Sequence, residues 1–90
     1  MTATRSCEIC NKRGLHARAS AKFVKLASDF DAVVTVTRDG QSVDARSIMG
    51  LMMLGAGPGS TLELKAEGDE ADAVLDALCE LVRSRFDEDA

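Results

Sequence analysis

Ninety residues make room for one modest core: a chain of this length buries only about 60–65% of the surface its unfolded form exposes, too little for a large cleft with separate cofactor and substrate lobes. Apolar residues make up 46% and charged ones 29%, ordinary values for a globular domain, and no run approaches the ~18 consecutive apolar residues of a spanning helix. The net charge of −4 opposes nucleic-acid binding, which draws its affinity from Lys and Arg neutralising phosphates.

In chain order, Met1-Thr-Ala-Thr-Arg5 runs into a strand-like segment and not into the apolar stretch of a signal peptide. That start predicts a cytoplasmic protein with no membrane association. Ser6-Cys-Glu-Ile-Cys10 alternates, with Cys7 and Ile9 on one face of a half-buried strand. The C-x-x-C spacing of Cys7 and Cys10 invites metal or redox chemistry. Along a strand, however, an offset of three points two thiols to opposite faces, and no helix start lies near to lower a thiol pKa. Three cysteines are also an odd number, so no disulfide framework follows. Cys7 and Cys79 are expected in the core, and neither a metal nor a cofactor is expected.

Asn11-Lys-Arg-Gly14 is a polar loop that ends at Leu15-His16. From Ala17 to Asp29 the period becomes helical: Ala19, Phe23, Leu26, Ala27 and Phe30 form one apolar stripe, away from Lys22, Lys25 and Ser28. Ala32 to Arg38 is rich in β-branched residues and reads as a strand. Asp39-Gly40 is a two-residue hairpin signal, with Gln41–Asp44 as the return strand. Ser47 has the chemistry of an N-cap for a short helix, Ile48 to Leu54, closed by Gly55. Gly55-Ala-Gly-Pro-Gly59 is a turn cluster. Ser60 to Ala66 alternates Leu62, Leu64 and Ala66 inward, a fourth strand. Gly68-Asp69 opens the last helix, with Asp69, Glu70 and Asp72 in its first turn and Arg83 and Arg85 in its last. Its stripe is Ala71, Val74, Leu75, Leu78, Leu81 and Val82. One domain therefore spans residues 1–90 in the order β-α-β-β-α-β-α, an α+β layer structure with helices covering one face of the sheet. A ferredoxin-like fold has almost the same order, and order alone does not separate the two.

His16 is the only histidine. It follows a glycine-containing loop and directly precedes a helix, where backbone N–H groups are unpaired and the helix dipole is positive. An anion on the ring could accept bonds from the Ala17 and Arg18 amides, with the Arg18 guanidinium adding a third contact. That field favours a neutral ring with one nitrogen free as nucleophile. A helix-capping or surface histidine explains the same position without chemistry. Charge adds a second hint. Residues 1–46 carry eight basic and five acidic side chains, a balance of +3, while residues 47–90 carry three and ten, a balance of −7. The positive half could steer in a phosphate or an acidic protein surface. In Ile48–Leu54, Leu51 and Leu54 share one arc of the helical wheel with Gly50, and Ile48, Met49, Met52 and Met53 cover the other. Either the methionine arc is an exposed docking patch or the segment is buried on all sides.

Gly14-Leu-His-Ala-Arg18, then Phe23-Val24, then Ser47-Ile-Met-Gly-Leu51 together resemble the HPr family, phosphocarriers of the bacterial phosphoenolpyruvate-dependent phosphotransferase system. The likeness runs nearly end to end. It implies an open-faced β-sandwich, a four-stranded antiparallel sheet with three helices on one side. It implies that His16 takes a phosphoryl group on Nδ1 from phosphorylated enzyme I and passes it to an enzyme IIA domain, the protein being a carrier and not an enzyme. Arg18 matches the arginine beside the phosphohistidine, with the Ala17 and Arg18 amides at the phosphate, and Ser47 matches the serine modified by HPr kinase/phosphorylase. Ile48, Met49 and Met52 would then dock partners. One departure stands out: Ala19-Ser20 occupies the place where the family usually has proline, which would preset the first helical turn. The Arg-Ala-Ser-Ala run and the acidic Phe86-Asp-Glu-Asp89 resemble the nitrogen-related branch of the family, whose role is regulatory, so sugar uptake and regulation stand as alternatives.

Overall fold

In a computed structural model describing residues 1–90, the elements follow the predicted order. They are β1 (Thr2–Glu8), α1 (Ala17–Ser28), β2 (Val33–Arg38), β3 (Gln41–Asp44), α2 (Ile48–Met53), β4 (Thr61–Glu67) and α3 (Ala71–Arg83). A single left-handed turn, Arg85–Asp87, follows α3. The four strands form one antiparallel sheet in the order β1-β4-β2-β3. Alternation decides its two faces. Ala3, Val34, Val36, Leu62, Leu64 and Ala66 point inward and are buried, while Thr4, Ser6, Glu63 and Lys65 stay exposed on the open face. The β2–β3 hairpin turns on Asp39 and Gly40, both at positive φ, as a two-residue loop matched to strand twist requires.

The helices complete the core from one side. α1 buries Ala19, Phe23 and Ala27, and α3 buries Ala71, Val74, Leu75, Leu78, Cys79 and Val82. Each of the larger side chains contributes roughly 1.5–3 kcal/mol of transfer free energy on full burial. α2 places Leu51 and Leu54 in the same core and leaves Ile48, Met49, Met52 and Met53 at 41, 68, 41 and 67% exposure. The wheel's two arcs are thus resolved: leucine inward, methionine outward. Gly50 lets this helix lie close to β3, since a Cβ there would meet Val43 Cβ and Ser47 Oγ at 3.0 Å each.

Several boundaries move. β1 begins at Thr2, not at Ser6, and ends at Glu8. Its first half escaped the alternation because Arg5 occupies an inward position, where its guanidinium crosses to Asp72 and Asp76 of α3 at 3.2 and 3.4 Å. α3 begins at Ala71, so Asp69 and Glu70 precede its first turn; the Glu70 carboxylate instead accepts from the Asp31 amide at 2.8 Å. Arg85 lies beyond α3, in the following turn. Leu26, Phe30 and Leu81 are only partly buried, whereas polar Ser20 is fully buried, its Oγ donating to the Leu15 carbonyl at 3.2 Å.

Candidate functional site

His16 sits where two loops meet at the start of α1. Gly14 makes that approach possible: at φ +64° it turns the chain, and any Cβ would lie 2.3 Å from the Ala56 carbonyl oxygen. The Leu15 amide donates to that same oxygen at 2.9 Å, tying the 11–15 loop to the turn before β4. His16 is then the N-cap of α1, in extended backbone, and its side chain makes no capping bond. The first helical bond runs from the Ser20 amide to the His16 carbonyl at 2.9 Å. The amides of Ala17 and Arg18 at this helix start have no internal acceptor, and both residues are exposed.

The imidazole is less open than a surface cap would be, with 18% of its side chain accessible. The cover comes from the C-terminal segment. Phe86 is fully buried, and its carbonyl accepts from Lys22 Nζ at 2.7 Å. Two residues on, Glu88 Oε2 meets His16 Nε2. Glu88 Oε1 accepts from Asn11 Nδ2 at 3.0 Å, and that nitrogen also donates to the Gly14 carbonyl at 2.9 Å. These bonds from His16 and Asn11 hold the Glu88 carboxyl below the usual range, with the Arg13 charge adding a smaller pull. Asn11 Oδ1, buried, has no partner.

Around the ring lies a depression of about 360 Å³. Lys12, Arg13, Arg18 and Lys22 line it with His16 on one side, and Asp87, Glu88, Asp89 and Ala90 on the other. The basic first half and the acidic second half of the sequence therefore meet here, as they also do at Arg5 with Asp72 and Asp76. A larger depression of about 540 Å³ lies at Thr4, Arg5, Ser6, Thr37, Glu63, Leu64 and Lys65 and contains no histidine or cysteine. The structure brings His16, Ala17 and Arg18 together, as their adjacency requires. Ser47, Ile48, Met49 and Met52 do not line the basic depression; they form a separate group on α2, which packs against α1. Ser47 is an N-cap in fact, its Oγ accepting from the Gly50 amide at 2.9 Å.

The two thiols of the C-x-x-C spacing do separate, but not by alternation along one strand: β1 ends at Glu8, and Cys10 lies in the loop beyond it. Cys7 points inward beside Cys79, and Cys10 is exposed. Burial first, and the neighbouring Cys79 next, push the Cys7 thiol up to about 12. No group of three or more His, Cys, Asp or Glu side chains is arranged to hold a metal ion, and no helix is long and apolar enough to cross a membrane.

Sequence reading missed Glu88, Asn11 and Lys22 as parts of the His16 surroundings. Only the acidity of the tail hinted at the first of them.

The family model described as "PTS HPr component phosphorylation site" matches residues 3–84. Phosphocarrier protein NPr of Shewanella violacea is 50% identical over 84 residues, covering 93% of this chain and 92% of its own. Phosphocarrier protein HPr of Cupriavidus necator is 51% identical over 84 residues, covering 93 and 94%. Among solved structures, HPr-C-His from Thermoanaerobacter tengcongensis superimposes with a TM-score of 0.93 at 43% identity, covering 98% of this chain and 99% of that one.

Proposed function

The chain belongs to the HPr family of phosphotransferase-system phosphocarriers, and from that premise we propose that it receives a phosphoryl group on His16 from phosphorylated enzyme I and delivers it to enzyme IIA domains. The observation that carries this reading is the pairing of a lone nucleophilic side chain with an anion-receptive surround. His16 stands at the free amides of Ala17 and Arg18, ringed by Lys12, Arg13, Arg18 and Lys22. A phosphoryl group on the ring would accept from those amides and pair with the guanidinium of Arg18. Nε2 is engaged by Glu88, so Nδ1 is the nitrogen left for phosphorus. Incubation with enzyme I and phosphoenolpyruvate, read by intact mass, tests it. One acid-labile, base-stable phosphoryl group is expected on the wild type and none on His16→Ala. Uptake by His16→Ala at the wild-type rate would refute the assignment. Branch names do not discriminate here, since the NPr and HPr relatives stand at 50 and 51% identity; transfer from the phosphorylated carrier to purified IIA domains of each branch identifies the acceptor.

Ser47 acts in this reading as a brake, modified by a kinase of the HPr kinase/phosphorylase type. The support is its position as N-cap, where a phosphate meets unpaired first-turn donors, directly beside exposed Ile48, Met49 and Met52. A partner burying that apolar group would have to desolvate a charge near −2. Ser47→Asp should slow transfer from enzyme I through weaker association at nearly unchanged melting temperature. Full activity at unchanged stability would leave Ser47 as a cap alone.

A further inference from the structure

Two nitrogens of an imidazole compete to be the nucleophile, and the one that carries the hydrogen cannot attack. Here Nε2 faces a carboxylate of the protein itself, Glu88 Oε2. That carboxylate does not arrive on a loose end. Phe86 is buried in the core, Lys22 Nζ holds its carbonyl at 2.7 Å, and the Glu88 amide donates to the Arg85 carbonyl at 2.9 Å. Its second oxygen accepts from buried Asn11, which is itself bound to the Gly14 carbonyl on the loop before His16. Ring, loop and tail are thus fixed to one another by the two oxygens of one side chain.

We propose that Glu88 is a positioning residue for phosphotransfer at His16, holding the hydrogen on Nε2 so that Nδ1 keeps its lone pair for phosphorus. The proposal rests on the reading of His16 as the phosphoryl acceptor. An ionised carboxylate only accepts hydrogen bonds, so the nitrogen opposite it carries the hydrogen. In the transfer step the Nδ1 pair forms the bond to phosphorus while the donor's bond to phosphorus breaks, its electron pair returning to the donor. The Nε2 hydrogen stays in place, and the ring becomes positive opposite the Glu88 charge. In onward transfer the N–P bond breaks, the pair returns to Nδ1 and the ring is neutral again. No proton enters or leaves in either direction. The carboxylate selects the nitrogen and offsets the charge that appears on the ring, as the buried aspartate does for the histidine of a serine-protease triad.

Full-length wild type, Glu88→Gln and Glu88→Ala decide the matter with two readouts. Long-range ¹H–¹⁵N correlations report which nitrogen of His16 carries the hydrogen, with no phosphoryl donor present. Rapid-quench uptake from enzyme I reports rate. The wild type should show the Nε2–H form, and Glu88→Ala a mixture of both tautomers with uptake slowed on the order of tenfold. Glu88→Gln, an uncharged acceptor, should fall between them in rate. An Nε2–H population unchanged in Glu88→Ala, or uptake unchanged or faster in that variant, overturns the role of Glu88 while wild-type transfer stands. Failure of the wild type to take up phosphate overturns the reading of His16, and the role of Glu88 with it.

Discussion

Arg18 makes no ion pair with any acidic side chain, although it shares a depression with Asp87, Glu88 and Asp89. A guanidinium without a partner beside a nucleophile is available to an incoming phosphoryl group. A charge-assisted contact of that kind contributes about 1.5–3 kcal/mol, and each 1.4 kcal/mol is about tenfold in rate. Arg18→Ala should therefore slow phosphoryl uptake tenfold to hundredfold in stopped-flow measurement while the acceptor nitrogen remains; unchanged kinetics would mean the guanidinium serves elsewhere. Cys7 supplies a second residue-scale expectation. Its thiol is held neutral by burial beside Cys79, with the pKa raised from 9.0 to about 12. Between those values the unfolded chain releases a proton that the folded chain keeps. The stability from neutral Cys7 is therefore complete below pH 9 and is lost as pH rises toward 12. Denaturation midpoints from pH 8 to 11 should fall more steeply for the wild type than for Cys7→Ala, and an equal decline in both would remove Cys7 as the cause. Thiol alkylation of the native protein should begin at exposed Cys10.

A helix of six residues such as α2 has no independent stability; in isolation it could not offset the cost of nucleation. Three features hold it: the Ser47 cap, the buried anchors Leu51 and Leu54, and close contact with β3 at Gly50. Leu51→Ala should cost about 2–5 kcal/mol, read as a shifted denaturant midpoint. Met49→Glu, at a side chain mostly in solvent, should move that midpoint little and weaken association with enzyme I. Were Met49→Glu to unfold the protein while Leu51→Ala left it intact, the docking surface would have to be sought on another arc. This element was readable from sequence because its periodicity and its cap are local. Leucine inward and methionine outward was legible as well; that nothing covers the methionine arc was not, since an apolar residue occupies nearly every position and only the neighbouring elements decide what is buried on all sides.

At the scale of the whole molecule, the last six residues close the fold. Arg85, Phe86 and Asp87 take φ of 59, 54 and 63°, a left-handed run that costs non-glycine residues roughly 1–2 kcal/mol each. Burial of Phe86 and the bond from Lys22 offset that cost. Phe86→Ala should lower stability by about 3–5 kcal/mol, a large share of the roughly 5–15 kcal/mol available to a small domain. Calorimetry should show a melting temperature lower by ten degrees or more, at about 4–8 °C per kcal/mol for this size. A shift of only a degree or two would show the tail to be dispensable packing. The same variant should free Glu88 from its place, so the ring of His16 should become more accessible to diethyl pyrocarbonate.

Sequence by itself determined the strands and helices, because alternation and helical stripes are local records of which side chains will be buried. It also determined that His16, Ala17 and Arg18 would share a helix start, since they are neighbours in the chain and their amides are orphaned by the helix itself. It misplaced the start of β1 because inward Arg5 satisfies its charge on α3, 67 residues away at Asp72. The largest gap has the same physical origin. Glu88 is 72 residues from His16, in a tail whose polar composition carries no period and whose left-handed turn contains no glycine. Only the burial of Phe86, possible once α3 and α1 lie on the sheet, aims that carboxylate at Nε2. Local hydrophobic pattern fixed the elements and their order, and the motifs around His16 and Ser47 separated this fold from a ferredoxin-like one; which nitrogen of the histidine is free was decided by a contact that exists only when the C-terminal segment packs beside α1.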